Sequence, residues 1–359
     1  MDKKQRLVII TGANSGIGKA AAIRFASEGD QVIMACRNMQ KGERAREEVL
    51  KAVMVRSAES ETGSDNSPKL SGNRMGPADE VEGVGFTESV ESNVVLMELD
   101  ISSFQSIRNF TDAFRSRFDR LDLMIHNAAY FNHGSPYKLS DDGIELTFAT
   151  NLVGPWLLTR LLQDRLNSAD HPGVLFAGSN IIKNFFNPKK KIDLNNLKGE
   201  HPDDKSFKVY NNYRDSKMAL LMITFRLAEQ LKNEGFSFYY LQINGATMSK
   251  ETLAKFTTGY RVVAWIQNLF FRPPEFMADL YYEICTSERF RQISGACINH
   301  RLEMMEPGPK EPGGKDQIRQ VFGASFYPLY AHDRGTSDKI LKFCKEVTGL
   351  HAERENIAE

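Results

Sequence analysis

The chain has 359 residues, 41% of them hydrophobic, with 46 Lys+Arg balanced by 46 Asp+Glu. That length and apolar content suit one large or two medium globular domains with a sizeable core, and a formal charge of +0 leaves no basic footprint for nucleic acid. Its 4 cysteines (Cys36, Cys285, Cys297, Cys344) are scattered without zinc spacing or the density of a secreted disulfide framework, so an intracellular, cytoplasmic and reducing setting is the expectation.

The first residues, "MDKKQRLVIITGA", pass from charge straight into a short apolar run, with no room for the apolar stretch of a signal peptide. No uncharged run reaches the ~18 residues of a spanning helix. Apolar strand-like runs then alternate with helical stretches. "LVIIT" precedes a helix over 16–28, "QVIMA" one over 39–55, and "VVLMEL" one over 103–118. "LDLMIH" precedes 142–167, "GVLFAG" precedes 211–234, and "FSFYYLQI" comes last. The runs read as strands buried on both sides, so the rhythm predicts a single Rossmann-type α/β domain: a doubly wound parallel sheet with helices on both faces, over residues 1–305.

Two stretches interrupt it. Residues 56–93 are rich in Ser, Gly, Glu and Asn and poor in aromatics, the composition of a flexible insertion. Residues 306–316, "EPGPKEPGGKD", read as a Pro/Gly hinge into an extension over 306–359, where Ile340, Leu341, Phe343, Cys344 and Val347 predict a closing amphipathic helix.

Directly after the first strand comes "TGANSGIG". Gly12, Gly16 and Gly18 let backbone approach a pyrophosphate, and the helix that follows presents unpaired N–H groups and a positive dipole end. The turn Gly12, Asn14, Ser15, Gly16, Ile17 and Gly18 is therefore a dinucleotide site, although its spacing differs from G-x-G-x-x-G. At the end of the second strand, "VIMACRN" has Cys36 where an NAD site would carry an acid, followed by Arg37, which can grip a 2′-phosphate; NADP(H) is the expected cofactor.

With "ELDIS", "HNAAY", "TNLVGPWLLT", "LFAGSN" and "YRDSK" following in order, the chain resembles the short-chain dehydrogenase/reductase (SDR) family from about residue 5 to 300. "MACRNMQKGERA", "DLNNLKGE" and "SGACINHR" resemble its retinol-dehydrogenase-like branch. The resemblance implies that Tyr213 exchanges the proton with the substrate oxygen, Ser179 hydrogen-bonds that oxygen, and Asn151 supports a proton relay. It also implies that Lys217 holds the nicotinamide ribose and that Asp100, Ile101, Asn127, Ala128 and Ser249 contact the cofactor. The residue chemistry agrees, because a phenol titrating near 10 needs a cation one helical turn away, and Lys217 is that cation. Two departures stand out. His126 and Ala129 replace the first Asn and the Gly of the family's Asn-Asn-Ala-Gly, and Asn244 and Ser249 replace the Pro and Thr that follow the sixth strand.

Between 249 and 285, the family's substrate lid, the apolar stretch 260–271 reads either as a cover for an apolar alcohol, aldehyde or ketone, retinoid-, steroid- or lipid-like, or as a helix on a membrane surface. The resulting expectation is an NADP-dependent alcohol dehydrogenase or carbonyl reductase, a homodimer or homotetramer by resemblance, with no nucleic-acid partner and no metal. The rivals are a non-catalytic NADP-binding sensor or scaffold and a reductase of a tetrapyrrole-type double bond.

Overall fold

The structure is a computed structural model that describes residues 5–61, 93–131, 137–200, 208–248, 253–254, 261, 265, 268 and 271–350. Seven strands form one parallel sheet in the order β3-β2-β1-β4-β5-β6-β7: β1 (Leu7–Thr11), β2 (Gln31–Cys36), β3 (Val94–Glu98), β4 (Leu123–His126), β5 (Gly173–Ala177), β6 (Ser237–Leu241) and β7 (Ala296–Ile298). All five residues of β1, β5 and β6 are buried, as their unbroken apolar or aromatic runs require. Alternate side chains feed two cores. Ile9, Met124, Phe176 and Tyr240 point into one; Val8, Ile10, Ile125 and Leu175 point into the other. Each such apolar side chain contributes roughly 1.5–3 kcal/mol on burial.

On the second face lie α1 (Gly16–Ser27), α2 (Met39–Glu61) and a helix over Pro274–Thr286. Ala20, Ala21 and Ala22 let α1 sit close to the sheet, and the Arg24 guanidinium lies 4.2 Å from the Tyr282 ring centroid. Helix α2 continues to Glu61, past the boundary at 56 set by composition, and 62–92 of the insertion lie outside the described residues.

The first face carries α3 (Phe104–Arg115), α4 (Gly154–Leu161) and α5 (Val209–Gln230), with α6 naming the Pro274–Thr286 helix. The single helix expected over 142–167 is broken. Glu145 caps its start at Leu146, its carboxylate accepting from Thr147 N (2.9 Å) and Phe148 N (3.3 Å). Ala149–Val153 then form a π-helical turn, and α4 follows. Pro155 explains the break, since it has no N–H to return to the carbonyl of Asn151, four residues back.

The seventh strand, Ala296–Ile298, is an addition to the six expected. Its three residues are too short to stand out by pattern, and they join β6 through Tyr239↔Ala296 to Leu241↔Ile298. Beyond it, β8 (Glu306–Pro307) pairs with β9 (Phe326–Tyr327), α7 spans Gly314–Phe322 and α8 spans Arg334–Thr348. Ile340, Leu341 and Cys344 of α8 are buried against α5, and Arg226 of α5 pairs with Asp338 at 2.6 Å. His332 stacks on Phe225 with centroids 4.9 Å apart. Among the described residues no helix is long and apolar enough to cross a membrane.

Candidate active site

The strand order reverses between β1 and β4, which places a crevice at their carboxyl ends. The turn after β1 is built for close backbone approach. Gly12 (φ 66°) and Gly16 (φ 54°) occupy the left-handed region, and a Cβ on Gly16 would meet nothing within 4 Å, so its outer side is open to a ligand. Gly18 is different: a Cβ there would lie 2.4 Å from Gly12 O and 2.5 Å from Asn127 Nδ2, so it is the point where α1 touches the β1 and β4 ends. Ser15 caps α1 without spending its hydroxyl on the helix, and the first turn carries no acid. A glycine cradle, a free hydroxyl and a positive helix end suit the pyrophosphate of a dinucleotide.

Asn127 ties the two strand ends together, Nδ2 donating to Thr11 O at 3.0 Å, and Ala128 N donates to Thr11 Oγ1 at 3.0 Å. Cys36 is buried, and burial pushes its thiol up to about 11 even though the Ala13 and Asn14 amides donate to it. The position that carries an acid in an NAD site is thus neutral here. The Arg37 side chain is 70% exposed and reaches Asp100 at 3.7 Å. Asp100 Oδ1 accepts from Ser102 N (2.9 Å) and Ser102 Oγ (2.6 Å). Ile101 is buried where α4 approaches, a Cβ on Gly154 falling 1.9 Å from its carbonyl.

Tyr213, Lys217 and Ser179 converge at the end of β5. Ser179 follows Ala177 by two residues and caps the turn Asn180–Phe186, its Oγ accepting from Ile181 N at 3.3 Å. Tyr213 and Lys217 sit one turn apart on α5. The Lys217 ammonium donates to Ala177 O at 2.8 Å and lies 5.9 Å from the Tyr213 ring centroid. Desolvation brings the Lys217 pKa down to about 8, and it raises that of Tyr213, while a hydrogen bond with the Ser179 side chain opposes the latter shift. Phe131 lines the approach, its ring centroid 4.6 Å from that of Tyr213.

Asn151 lies in the π turn with its amide fully engaged. Oδ1 accepts from Tyr130 N (2.8 Å), and Nδ2 donates to Tyr130 O (2.9 Å) and Ser216 Oγ (3.2 Å). The side chain therefore clamps the loop after β4 to α5. Ser249 and most of the lid stretch 260–271 lie outside the described residues. Within that stretch, Asn268 fixes Met248, the residue before Ser249, through both amide atoms.

Three supporting side chains were not legible as such. Tyr240, read as one more apolar residue of a strand, accepts from Ser179 N (3.1 Å) and donates to Lys217 O (3.2 Å), bridging the serine and the lysine. The Thr11 hydroxyl holds the Ala128 amide, and Tyr281 positions Asn127, donating to its Oδ1 at 3.2 Å. A polar-tipped aromatic inside an all-buried strand is the signal for Tyr240, because its hydroxyl must find partners. Tyr240→Phe leaves the Ser179 amide without its acceptor, and urea unfolding should show a loss of about 1–3 kcal/mol. An unchanged midpoint would rule out that bridge.

The fold and its glycine cradle define a doubly wound nucleotide-binding protein. Residues 6–63 match the family model "short chain dehydrogenase" and residues 75–185 match "Enoyl-(Acyl carrier protein) reductase". Human Retinol dehydrogenase 14 is 32% identical over 227 residues, 63% of this chain and 57% of that protein's length. Human Retinol dehydrogenase 11 is 28% identical over 293 residues, 81% of this chain and 76% of that protein. A short chain dehydrogenase from Shigella flexneri solved with NADP superposes with a TM-score of 0.55 at 16% identity, covering 82% of this chain and 97% of that one. The chain belongs to the short-chain dehydrogenase/reductase family, in its retinol-dehydrogenase-like branch. It is thus an oxidoreductase of a family that works with a nicotinamide dinucleotide.

Proposed function

We propose that this chain is an NADP(H)-dependent oxidoreductase that interconverts an apolar alcohol and its carbonyl compound. The observation that carries the reading is the convergence of Tyr213, Lys217 and Ser179 beside the glycine cradle. Gly12, Asn14, Ser15, Gly16, Ile17 and Gly18 would hold the pyrophosphate, Arg37 the 2′-phosphate, Asp100, Ile101, Asn127 and Ala128 the remaining adenosine and nicotinamide contacts, and Lys217 the ribose. When bound, the nicotinamide supplies or accepts a hydride.

The chain's own groups handle the proton. In reduction, Ser179 Oγ donates to the substrate oxygen and stabilises its developing negative charge, and Tyr213 transfers its phenolic proton to the same atom. Burial keeps Tyr213 protonated at neutral pH, which suits it to act as the acid. Lys217, while charged, stabilises the phenolate left behind. Asn151 keeps the loop carrying Tyr130 and Phe131 against α5, and Pro155 leaves the Asn151 carbonyl without its i+4 donor, which suits it to accept from a relay water. Phe131 presents an apolar edge beside Tyr213, in keeping with the lipophilic substrates that the names of the retinol dehydrogenases imply for those relatives.

The preference for NADP(H) rests on a neutral Cys36 and an exposed Arg37. Fluorescence titration should show wild type binding NADPH more tightly than NADH. Arg37→Ala should weaken NADPH by about 10- to 100-fold, the equivalent of one charge-assisted hydrogen bond, with NADH unaffected. A wild type that prefers NADH, or an Arg37→Ala variant with the NADPH preference intact, would refute the assignment.

A further inference from the structure

A cleft of about 1060 Å³ opens between the turn Asn180–Phe186 and the C-terminal segment, and none of Tyr213, Lys217, Ser179 and the cofactor glycines lines it. Phe186 and Tyr330 supply ring faces, Lys183, Lys191 and Lys310 supply positive charge, and Gln320 supplies an amide. Tyr330 is backed by Phe185, stacked at 5.4 Å, and carries the Lys191 ammonium 4.0 Å from its ring centroid. Two acids also line the cleft, but the Asp333 carboxylate is committed to capping α8, accepting from Thr336 N at 2.7 Å, and Glu311 is exposed at the rim. Burial lowers the pKa of Lys183, whose ammonium donates to Gly323 O, so a nearby anion would favour its charged form.

Gln320 is the informative residue. Helix α7 turns Ile318 and Phe322 outward, 64% and 84% exposed, while its Gln320 is 4% exposed. The Gln320 amide lines the cleft, with its Nε2 beside Gly308. Gly308 keeps the amide uncovered on the cleft side: a Cβ there would lie 3.0 Å from both Gln320 Nε2 and Phe186 Cε1.

We propose that this cleft is a second ligand site, separate from the catalytic crevice, for a small organic acid with a flat aromatic or conjugated body. The flat body lies against Phe186 and Tyr330, the acid group sits in the field of Lys183, Lys191 and Lys310, and Gln320 hydrogen-bonds a polar edge. The turn that forms one wall begins at Ser179, so an occupant would also brace the segment that carries the serine.

The test is calorimetric titration of the full chain, in excess NADPH, with 2-naphthoate and with neutral 2-naphthamide as probes. The expected result is binding of 2-naphthoate with a Kd below about 1 mM and weaker binding of the amide. Lys191→Met and Gln320→Leu should each weaken 2-naphthoate about tenfold, and Tyr213→Phe should leave it unchanged. Lys191 is exposed, so its variant serves even if Gln320→Leu proves unstable in a melting scan. Absence of binding overturns the proposal. So does binding that is indifferent to both cleft variants, or that is lost in Tyr213→Phe, since either result places the probe elsewhere.

Discussion

Replacing Tyr213 by Phe is expected to lower kcat for NADPH-dependent reduction of an apolar aldehyde or ketone by about 10²- to 10⁴-fold while NADPH affinity stays within about twofold. The substitution removes one oxygen and leaves the ring packed on Phe131. What disappears is the proton delivered to the developing alkoxide and the hydrogen bond with Ser179. Stopped-flow oxidation of NADPH would measure the rate and fluorescence titration the affinity; a variant retaining a third of wild-type kcat would remove Tyr213 from the chemistry. The pH profile adds a second reading. Lys217 carries its charge below about 8 and loses it above, so kcat/KM for reduction should be flat below about pH 8 and fall beyond it. Lys217→Met should abolish that inflection and lower the rate throughout.

Much of this arrangement was legible because the sequence states it twice. The glycine turn is flanked by a strand and a helix, and the same turn conformation is recovered at Gly12 and Gly16. Tyr213 and Lys217 are four apart on a helix, a spacing that alone puts them on one face. The six longer strands were visible as apolar runs because both faces of the sheet are covered. What escaped was set by tertiary contact rather than by local pattern. Tyr240 looks like any β-sheet aromatic until the ends of β5 and α5 meet at its hydroxyl. The break at Asn151 follows from Pro155, yet a proline near a helix start is also an ordinary N-terminal residue, so the π turn could not be told from a fresh helix start. Gln320 reads as a surface residue in "GKDQIRQVF", because α7 shows Ile318 and Phe322 to solvent and buries Gln320.

His126 carries the other large expectation, a loss of stability in acid. The ring is buried, stacked on Phe176 with centroids 4.9 Å apart, and its Nε2 lies 2.8 Å from Thr159 Oγ1. Thr159 already donates to Pro155 O at 2.8 Å, so its oxygen is the acceptor and Nε2 carries the imidazole proton. Among the described residues, that leaves Nδ1 buried without a partner. Burial, which disfavours a second proton on the ring, lowers the pKa from 6.5 to about 3. A group whose folded pKa lies below its unfolded value binds fewer protons in the native state. The unfolded chain is therefore favoured progressively as pH falls from about 6.5 toward 3, and no further loss accrues below that. At ~1.4 kcal/mol per unit, the full excursion reaches about 5 kcal/mol. His126→Phe keeps the stack on Phe176 and leaves Thr159 bonded to Pro155. Its stability at about pH 7 should stay within ~1.5 kcal/mol of wild type. Urea midpoints compared between about pH 7 and pH 4 should fall markedly more for wild type than for the variant. If the two curves decline in parallel, His126 is not the residue that makes this fold acid-sensitive.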